Sequence, residues 1–403
     1  MKRLVFLSQY FHPEPGATSE LLSEVALELS RRGYPTSAIA GQPSYHSSER
    51  ISALMSYGAV SIRRCWSTQF QRHNPLGRIL NTATFTLSAF ANLLRLPRGC
   101  IVVCVTNPPI LNWACAVAGV FKRLHYVALI HDVYPDIAER LHAIKEGGVI
   151  ARLWRRLNAF AYARAEFVVV LGRDMQRHFQ SSFGAAVQSK LRLIPNWSED
   201  LAAASPLRAE NPVLKSLDLV DRFVVLYSGN FGDFHEMDTI LSAARLLRND
   251  RISFLFMGKG KQLPKIKRAA AAEPNVHLLP PQPRTLLGTT LTACDASIVS
   301  LRAGLSGLAV PSKLYGILAS AKAAIVVAPA DSEPALEIAE CGGGIVTPPG
   351  DVAALAAALR QLANDPLRAA ELGEKGYLSF RRKYTLPTVA SQWAAMVEQL
   401  GVR

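Results

Sequence analysis

The chain has 403 residues, which suggests two or three domains and leaves room for two buried cores. Its composition is 49% hydrophobic and 19% charged, which excludes an intrinsically disordered chain. Lys and Arg exceed Asp and Glu by 45 − 31 = +14, and residues 1–200 carry +10 of this excess (23 basic minus 13 acidic residues). This basic half favours an anionic membrane surface or a phosphorylated substrate as partner. Nucleic acid is not expected, because no long Lys/Arg block with interleaved aromatics occurs.

The cysteines and the N-terminus favour a reducing cytoplasm. The six cysteines form no CxxC pair and no zinc-ligand spacing, so they do not predict a zinc site. The apolar run after the first basic residues is only Leu4–Leu7, which is too short for a secretory signal.

The first half of the chain alternates predicted strands with predicted helices. Strands are predicted at 3–8, 36–40, 59–63, 101–105, 126–130, 167–171 and 191–194, and helices around 21–29, 76–96, 110–121 and 151–165. This order of strand, crossover helix and strand predicts a parallel sheet.

Two loops of this half follow strand ends, where open α/β sheets bind ligands. The loop at 9–19 lacks the G-x-G-x-x-G pattern, but Gly16 would let the backbone approach a ligand. A plain turn glycine is the alternative. The strand at 126–130 delivers His131 and Asp132 at its carboxyl end, and the neighbouring carboxylate offers a way to orient the imidazole. A structural histidine is the alternative there.

The helix predicted at 76–96 is unusually apolar. Leu80, Ala83, Leu87, Phe90 and Leu94 share one face, Phe85 and Leu93 lie off it, and Arg78, Arg95 and Arg98 flank the segment. Asn81 and Asn92 interrupt the apolar run, so we do not predict a membrane span. Two interpretations stay open: a core helix, or a helix that lies in a membrane surface.

The second half repeats the alternation after a stretch without a core pattern. A linker is predicted at 201–221, then strands at 223–227, 252–257, 276–279, 296–301, 323–328 and 344–347. Helices are predicted at 237–247, 352–362 and 386–400. Glycine-bearing loops follow the strands at 223–227 and 252–257, the second of them beginning at Gly258. The two halves therefore predict two Rossmann-like domains that face a cleft.

The stretch 306–321 combines a glycine-bearing loop with a helix start. Pro311 fixes the backbone of a first helical turn, and Ser312 is able to accept a hydrogen bond from a free amide there. Lys313 adds a point charge beside the amides, so the pattern indicates an anion site. An ordinary turn between a strand and a helix is the alternative.

Several segments in fixed order carry a resemblance to a known family. They are Tyr10–Glu14, Gly16–Thr18, His131–Pro135, Ile194–Trp197, Tyr227–Gly232, Val299–Leu301, Leu308–Ala319 and Asn364–Pro366. Together they resemble the GT-B glycosyltransferases of family 4. The similar branch includes bacterial colanic-acid and O-antigen fucosyl- and N-acetylfucosaminyl-type transferases.

This resemblance implies a retaining transfer of a hexosyl- or N-acetylhexosaminyl-type sugar from a nucleotide-sugar donor to a glycan acceptor. It implies domains at 1–200 for the acceptor and 222–387 for the donor, with a last helix at about 388–403 packed back on the first domain. The donor would lie along the backbone of Gly16 and beside Asn230, Gly258, Ser312 and Lys313. His131, with Asp132, would face the transferred sugar. Neither a metal nor another cofactor is expected.

The resemblance, together with the basic first half and the apolar helix at 76–96, indicates where the protein acts. The acceptor would be a glycan carried on polyprenyl diphosphate, used in surface polysaccharide synthesis. The protein would be cytoplasmic and peripheral on the inner face of the cytoplasmic membrane, in keeping with its basic first half.

The chain departs from the family pattern at the donor site. Many members carry two glutamates eight positions apart, and the matching residues here are Leu308 and Gly316. An Arg and a Lys that often bind the diphosphate match Asn230 and His235, so Lys313 is the hypothetical replacement cation. Two other functions remain open: a sugar-nucleotide 2-epimerase of the same fold, and a non-catalytic subunit.

Overall fold

The computed structural model describes residues 2–42, 51–70, 75–203 and 206–401. The chain divides into two compact units. The first comprises Met1–Asn196, Gly307–Ala309 and Leu386–Arg403, and the second comprises Trp197–Ser306 and Val310–Thr385.

The first unit is built on an eight-stranded sheet. Its strands are β1 (Leu4–Ser8), β2 (Thr36–Ala40), β3 (Leu54–Tyr57), β4 (Val60–Arg64), β5 (Ile101–Val105), β6 (His125–Leu129), β7 (Phe167–Val170) and β8 (Leu191–Leu193). The order across the sheet is β3-β4-β2-β1-β5-β6-β7-β8, and the described pairs are parallel except β3 with β4. Its first helices are α1 (Ala17–Arg31), α2 (Pro75–Leu94), α3 (Leu111–Lys122), α4 (Asp136–Arg140), α5 (Val149–Arg164), α6 (Arg173–Ser182) and α7 (Ala185–Gln188).

The second unit is built on a six-stranded parallel sheet in the order β11-β10-β9-β12-β13-β14. These strands are β9 (Phe223–Asn230), β10 (Ile252–Lys259), β11 (Val276–Leu279), β12 (Ala296–Ser300), β13 (Ala323–Val327) and β14 (Gly344–Thr347). Its helices are α8 (Pro212–Ser216), α9 (Asp238–Leu246), α10 (Leu263–Ala272), α11 (Leu287–Leu291), α12 (Lys313–Ala319), α13 (Glu333–Cys341), α14 (Val352–Asn364) and α15 (Pro366–Lys383). Short 3-10 turns lie at Arg208–Glu210 and Arg284–Leu286.

The central strands of both sheets are buried on their two faces, which explains their continuous apolar runs. All five residues of β1 are buried. Along β9, Val225 and Tyr227 enter one core cluster, whereas Val224 and Leu226 enter another on the opposite face. The predicted α/β class with two parallel-sheet domains is therefore confirmed. The strand β3 was not predicted, because its exposed and half-buried residues lack an apolar run.

The last helix, α16 (Leu386–Glu398), belongs to the first unit although the chain reaches it from the second. It packs on α1, and its Trp393 ring lies 6.4 Å from that of Phe6 in the first strand. Arg32 donates hydrogen bonds to Ser391 Oγ at 2.8 Å and to the Pro387 carbonyl at 3.0 Å. This helix thus covers the α1 side of the first sheet.

The segment predicted as a linker at 201–221 contains the Arg208–Glu210 turn and α8 in the structure. Asn211 caps α8 by accepting from the amides of Val213 and Leu214. Leu214 and Leu219 are buried against the second sheet. Much of this segment therefore belongs to the core of the second unit.

The helix α2 exposes the face that its periodicity marked as apolar. Leu80 and Leu87 are 49% and 69% exposed, whereas Phe85 and Leu93, predicted to lie off the apolar face, are fully buried. Its sequence is apolar on both sides, so periodicity identified the helix but not its buried side. In the described part of the chain, no helix is both long and apolar enough to cross a membrane.

Candidate functional site

The carboxyl ends of β9 and β10 lie side by side at one edge of the second sheet, and each carries a glycine. Gly229 and Gly258 are register partners there, with φ of +109° and +152°. A Cβ at Gly258 would lie 1.9 Å from the carbonyl oxygen of Gly229, so only glycine fits. Lys259 and Asn230 are the next partners along the same strands, and both are exposed. This edge is where an open α/β sheet receives a ligand.

Lys313, the first residue of α12, reaches the same edge. Its Nζ donates to Tyr227 Oη at 2.9 Å and to the Asn230 carbonyl at 2.8 Å, and it lies 3.2 Å from His235 Nε2. The Nζ also lies 4.4 Å from the centroid of the Tyr227 ring, within cation–π range. The three hydrogens of the ammonium therefore each have an acceptor, and Lys313 fastens the end of β9 to the loop that follows it.

His235 completes this arrangement as a neutral imidazole. Its Nδ1 lies 2.9 Å from the Ser300 carbonyl, which only accepts, so Nδ1 carries the hydrogen and Nε2 is the acceptor for Lys313. Burial and the charge of Lys313 lower the pKa of His235 to about 3. Burial also lowers the pKa of Lys313 to about 7. An anion bound beside Lys313 would raise that pKa again, because an opposite charge favours the ammonium form.

The structure brings together the predicted residues of the second unit. Asn230 and Lys313 are in contact through the Asn230 carbonyl, and Gly258 lies one register step from Asn230 on β10. Ser312 is the N-cap residue of α12, but its side chain makes no capping hydrogen bond, contrary to the expectation from its position. The helix α12 is only seven residues long, so the cationic side chain contributes more to this edge than the helix dipole does.

The predicted residues of the first unit follow β1 and β6. Gly16 is the N-cap residue of α1 with φ of +142°, and a Cβ there would meet no atom within 4 Å. The amides of His131 and Asp132 donate to Thr106 Oγ1 at 3.0 and 3.3 Å. Thr106 directly follows β5, so this threonine ties together the ends of two neighbouring strands.

His131 and Asp132 are half-buried, and each is held through its backbone. Asp132 forms an antiparallel bridge with Ala309, and the amide of Val133 donates to the Leu308 carbonyl at 2.9 Å. Burial lowers the pKa of His131 to about 4 and raises that of Asp132 to about 6, so the imidazole is neutral at pH 7. Within the described residues, the two side chains make no hydrogen bond to each other, so the expected orienting contact is absent.

Leu308 and Gly316 match the two positions where many members of the resembled family carry glutamate. Leu308 is buried, and its carbonyl binds the chain after His131. Gly316 lies inside α12, and a Cβ there would make an ordinary contact of 3.5 Å with Leu291. No carboxylate occupies either position, as the sequence indicated.

Sequence reasoning did not assign roles to Tyr227, His235 or Thr106. A tyrosine ending the apolar run Phe223–Leu226 was the signal available for Tyr227. Among the residues that the structure describes, no group of three His, Cys, Asp or Glu side chains is arranged to hold a metal ion. The expectation that no metal is needed stays a prediction.

Comparison with known proteins bears on both units. Residues 16–197 match the family model of a glycosyl transferase 4-like domain, and residues 222–365 match that of glycosyl transferases group 1. The probable glycosyltransferase WbjE of Pseudomonas aeruginosa is 29% identical over 308 residues, covering 76% of each chain. WcaI of Escherichia coli K12, named as a colanic acid biosynthesis glycosyl transferase, is 26% identical and covers 90% of this chain and 92% of its own length.

A solved structure shares the fold over the whole chain. Anabaena HepE in complex with UDP-glucose superposes with a TM-score of 0.70 at 15% identity, covering 99% of this chain and 100% of its own.

Proposed function

We propose, from the premise that the chain belongs to the GT-B glycosyltransferases of family 4, that it transfers a sugar from a nucleotide-sugar donor to a glycan acceptor in polysaccharide biosynthesis. The two family models together span residues 16–197 and 222–365, which supports the enzyme class for both halves of the chain. The naming of WcaI for colanic acid biosynthesis supports a surface polysaccharide as the product.

The single observation that carries the donor assignment is the arrangement around Lys313. A cation with a lowered pKa lies beside the glycine at the end of β9, Gly229, which is exposed, as are its neighbours Asn230 and Lys259. Such a place favours a diphosphate, because an anion restores the preferred charge of the lysine. The shared fold with HepE, which binds UDP-glucose, supports UDP as the first nucleotide to test.

We assign the departing diphosphate to the Lys313 edge and the acceptor to the first unit. The bond between the anomeric carbon and the donor phosphate oxygen breaks, and the acceptor hydroxyl oxygen forms the new bond on the same face. The hydroxyl proton passes to the departing phosphate oxygen, so no protein nucleophile is required. The protein contributes positioning and charge stabilisation of the leaving group. His131, neutral at pH 7, is assigned to the transferred sugar as a hydrogen-bonding partner.

The acceptor and the place of action complete the proposal. We assign a glycan on polyprenyl diphosphate as acceptor, and the inner face of the cytoplasmic membrane as the site of action. The excess of +10 in residues 1–200 supports both, because a lipid diphosphate and an anionic leaflet attract basic surfaces.

A panel of UDP, GDP, dTDP and ADP with their sugars, followed by thermal unfolding, tests the donor assignment. A ligand that binds the folded protein raises the melting temperature, and one nucleotide should do so in preference to the others. Transfer of labelled sugar to a polyprenyl-diphosphate acceptor then tests the reaction, and the anomeric configuration of the product tests retention.

Two results would contradict this proposal. Nucleotide binding without transfer to any acceptor would favour the non-catalytic subunit. That alternative is raised by Leu308 and Gly316, which replace the two glutamates of the family pattern. Conversion of the nucleotide sugar without an acceptor would favour the epimerase.

A further inference from the structure

The helix α2 carries a stripe of exposed leucines along its length. Leu80, Leu87 and Leu94 are 49%, 69% and 36% exposed, and their spacing of seven residues places them on one side of the helix. Phe85 and Leu93 on the other side are fully buried. The exposed stripe is therefore additional to the side that holds the helix on the sheet.

The two neighbouring helices also expose apolar side chains. The helix α3 contacts both α2 and α5, so the three form one layer of the first unit. Val120 and Phe121 at the end of α3 are 59% and 67% exposed, and Leu153 of α5 is 56% exposed. We call this layer the apolar-basic face and define it by Leu80, Leu87, Leu94, Val120, Phe121, Leu153, Arg78, Arg152, Arg156 and Arg164.

The charge of these helices is of one sign. The helices α2, α3 and α5 contain no Asp or Glu, and they carry six basic residues, of which Arg155 is paired with Asp136 and Glu139. The guanidinium of Arg164 lies 3.9 Å over the Phe160 ring. Exposed apolar side chains flanked by arginines suit the boundary between lipid headgroups and acyl chains.

The other helix layer of the same sheet shows the opposite composition. The helices α1 and α16 expose no large apolar side chain. They contain Glu20, Glu24, Glu28 and Glu398 against the single basic residue Arg31. Of these two helix layers, only the layer of α2, α3 and α5 combines exposed apolar side chains with an excess of basic residues.

We infer that the apolar-basic face docks the first unit on an anionic lipid bilayer, with its leucines at the acyl boundary and its arginines among the headgroups. This rests on the proposed function, in which the acceptor is carried by a membrane lipid. A second copy of the chain is a poorer occupant, because two such faces bring basic residues together without carboxylates to pair with them.

Co-sedimentation of the full chain with lipid vesicles tests the inference. The vesicles contain phosphatidylcholine with roughly 30% phosphatidylglycerol, so that their surface is anionic and attracts basic residues. The triple variant Leu80→Ser, Leu87→Ser and Phe121→Ser should lower the partition coefficient about tenfold or more. The double variant Arg152→Gln and Arg156→Gln should lower it about fivefold for each arginine, and added salt should weaken wild-type binding in the same direction.

Matched variants in the second unit control for the chemical change. Leu246, Leu367 and Leu378 are 51%, 84% and 60% exposed, so their triple change to Ser removes similar apolar surface elsewhere. Arg248→Gln with Arg268→Gln removes two exposed arginines of the second unit. Both controls should bind vesicles as the wild type does.

The outcomes separate this inference from the proposed function. Equal vesicle binding by the face variants and the controls would overturn the inference, even where the nucleotide still raises the melting temperature of every variant. Absence of vesicle binding together with a concentration-dependent dimer that the leucine variant converts to monomer would assign the face to a second copy instead. Vesicle binding that depends on the face in a protein that binds no nucleotide would support the inference and contradict the proposed donor chemistry.

Discussion

The carboxyl ends of the two sheets hold their polar groups in different ways. In the second unit, Lys313, His235 and Tyr227 form a side-chain network that fastens the end of β9. In the first unit, His131 and Asp132 are held through their backbone amides by Thr106. One end is therefore tied together by side-chain contacts of Lys313, and the other, within the ranges that the structure describes, leaves the side chains of its titratable residues without such contacts. Under the proposed function, this difference suits the charged leaving group at the Lys313 end and the hydroxyls of the transferred sugar at the His131 end.

The largest expected effect contrasts the glycines at these ends. Gly258→Ala should destabilise the second unit by about 3 kcal/mol or more, because the new Cβ would collide with the Gly229 carbonyl. Gly16→Ala should cost less, about 1–2 kcal/mol, because its φ of +142° strains any other residue but the space around it is open. Denaturant unfolding measures both free energies of unfolding. Equal decreases in the two variants would show that the packing around Gly16 and Gly258 is equally tight.

The next effect tests the cation. Lys313→Met should weaken nucleotide-sugar binding about 30- to 100-fold, because it removes a charge and three contacts within the site. Calorimetric titration measures the affinity. Lys265→Met is the matched control, since Lys265 pairs with Asp238 on α9. A loss in the control as large as that in the Lys313 variant would remove the special role of Lys313.

A smaller effect concerns acid stability of the first unit. The pKa of His131 is about 4 in the folded protein and about 6.5 when unfolded, so the unfolded chain binds more protons between these values. Stability should therefore fall as the pH drops from 6.5 to 4. His131→Gln should remove roughly 1–2 kcal/mol of that loss, allowing for partial exposure.

Chemical unfolding at pH 7 and pH 4.5 measures this acid dependence. The exposed His142→Gln variant should keep the wild-type difference between the two pH values. An unchanged pH dependence in the His131 variant would contradict a neutral, desolvated imidazole.

The smallest expected effect is the number of protons that the protein takes up when it binds a nucleotide sugar. At pH 8 Lys313, with a pKa of about 7, is mainly neutral, and a bound diphosphate should raise the pKa and draw in a fraction of one proton. Titrations of a nucleotide sugar in two buffers of different ionisation enthalpy measure the uptake. Lys313→Arg should abolish it, because arginine stays charged throughout. Uptake that persists in the arginine variant would point to another group.

The sequence was informative where structure is local and less so where it is not. Every strand predicted from an apolar run is present, because strands of a parallel sheet are buried on both faces. Tyr227, His235 and Lys313 meet only because β9, its following loop and α12 converge, and no spacing in the sequence reveals that. The sequence also did not reveal which side of α2 is buried, because Leu87 on one side and Phe85 on the other are equally apolar candidates for the core.

Because the first unit includes the last helix, α16, it is completed late in synthesis. The 189 residues between Asn196 and Leu386 (385 − 197 + 1) take about 10–40 s to translate at ~5–20 residues per second. During that interval the α1 side of the first sheet lacks α16, including the Trp393 ring that packs near Phe6. The N-terminal unit is thus the first to be made and the last to be finished, and a stalled ribosome would hold it open to chaperones.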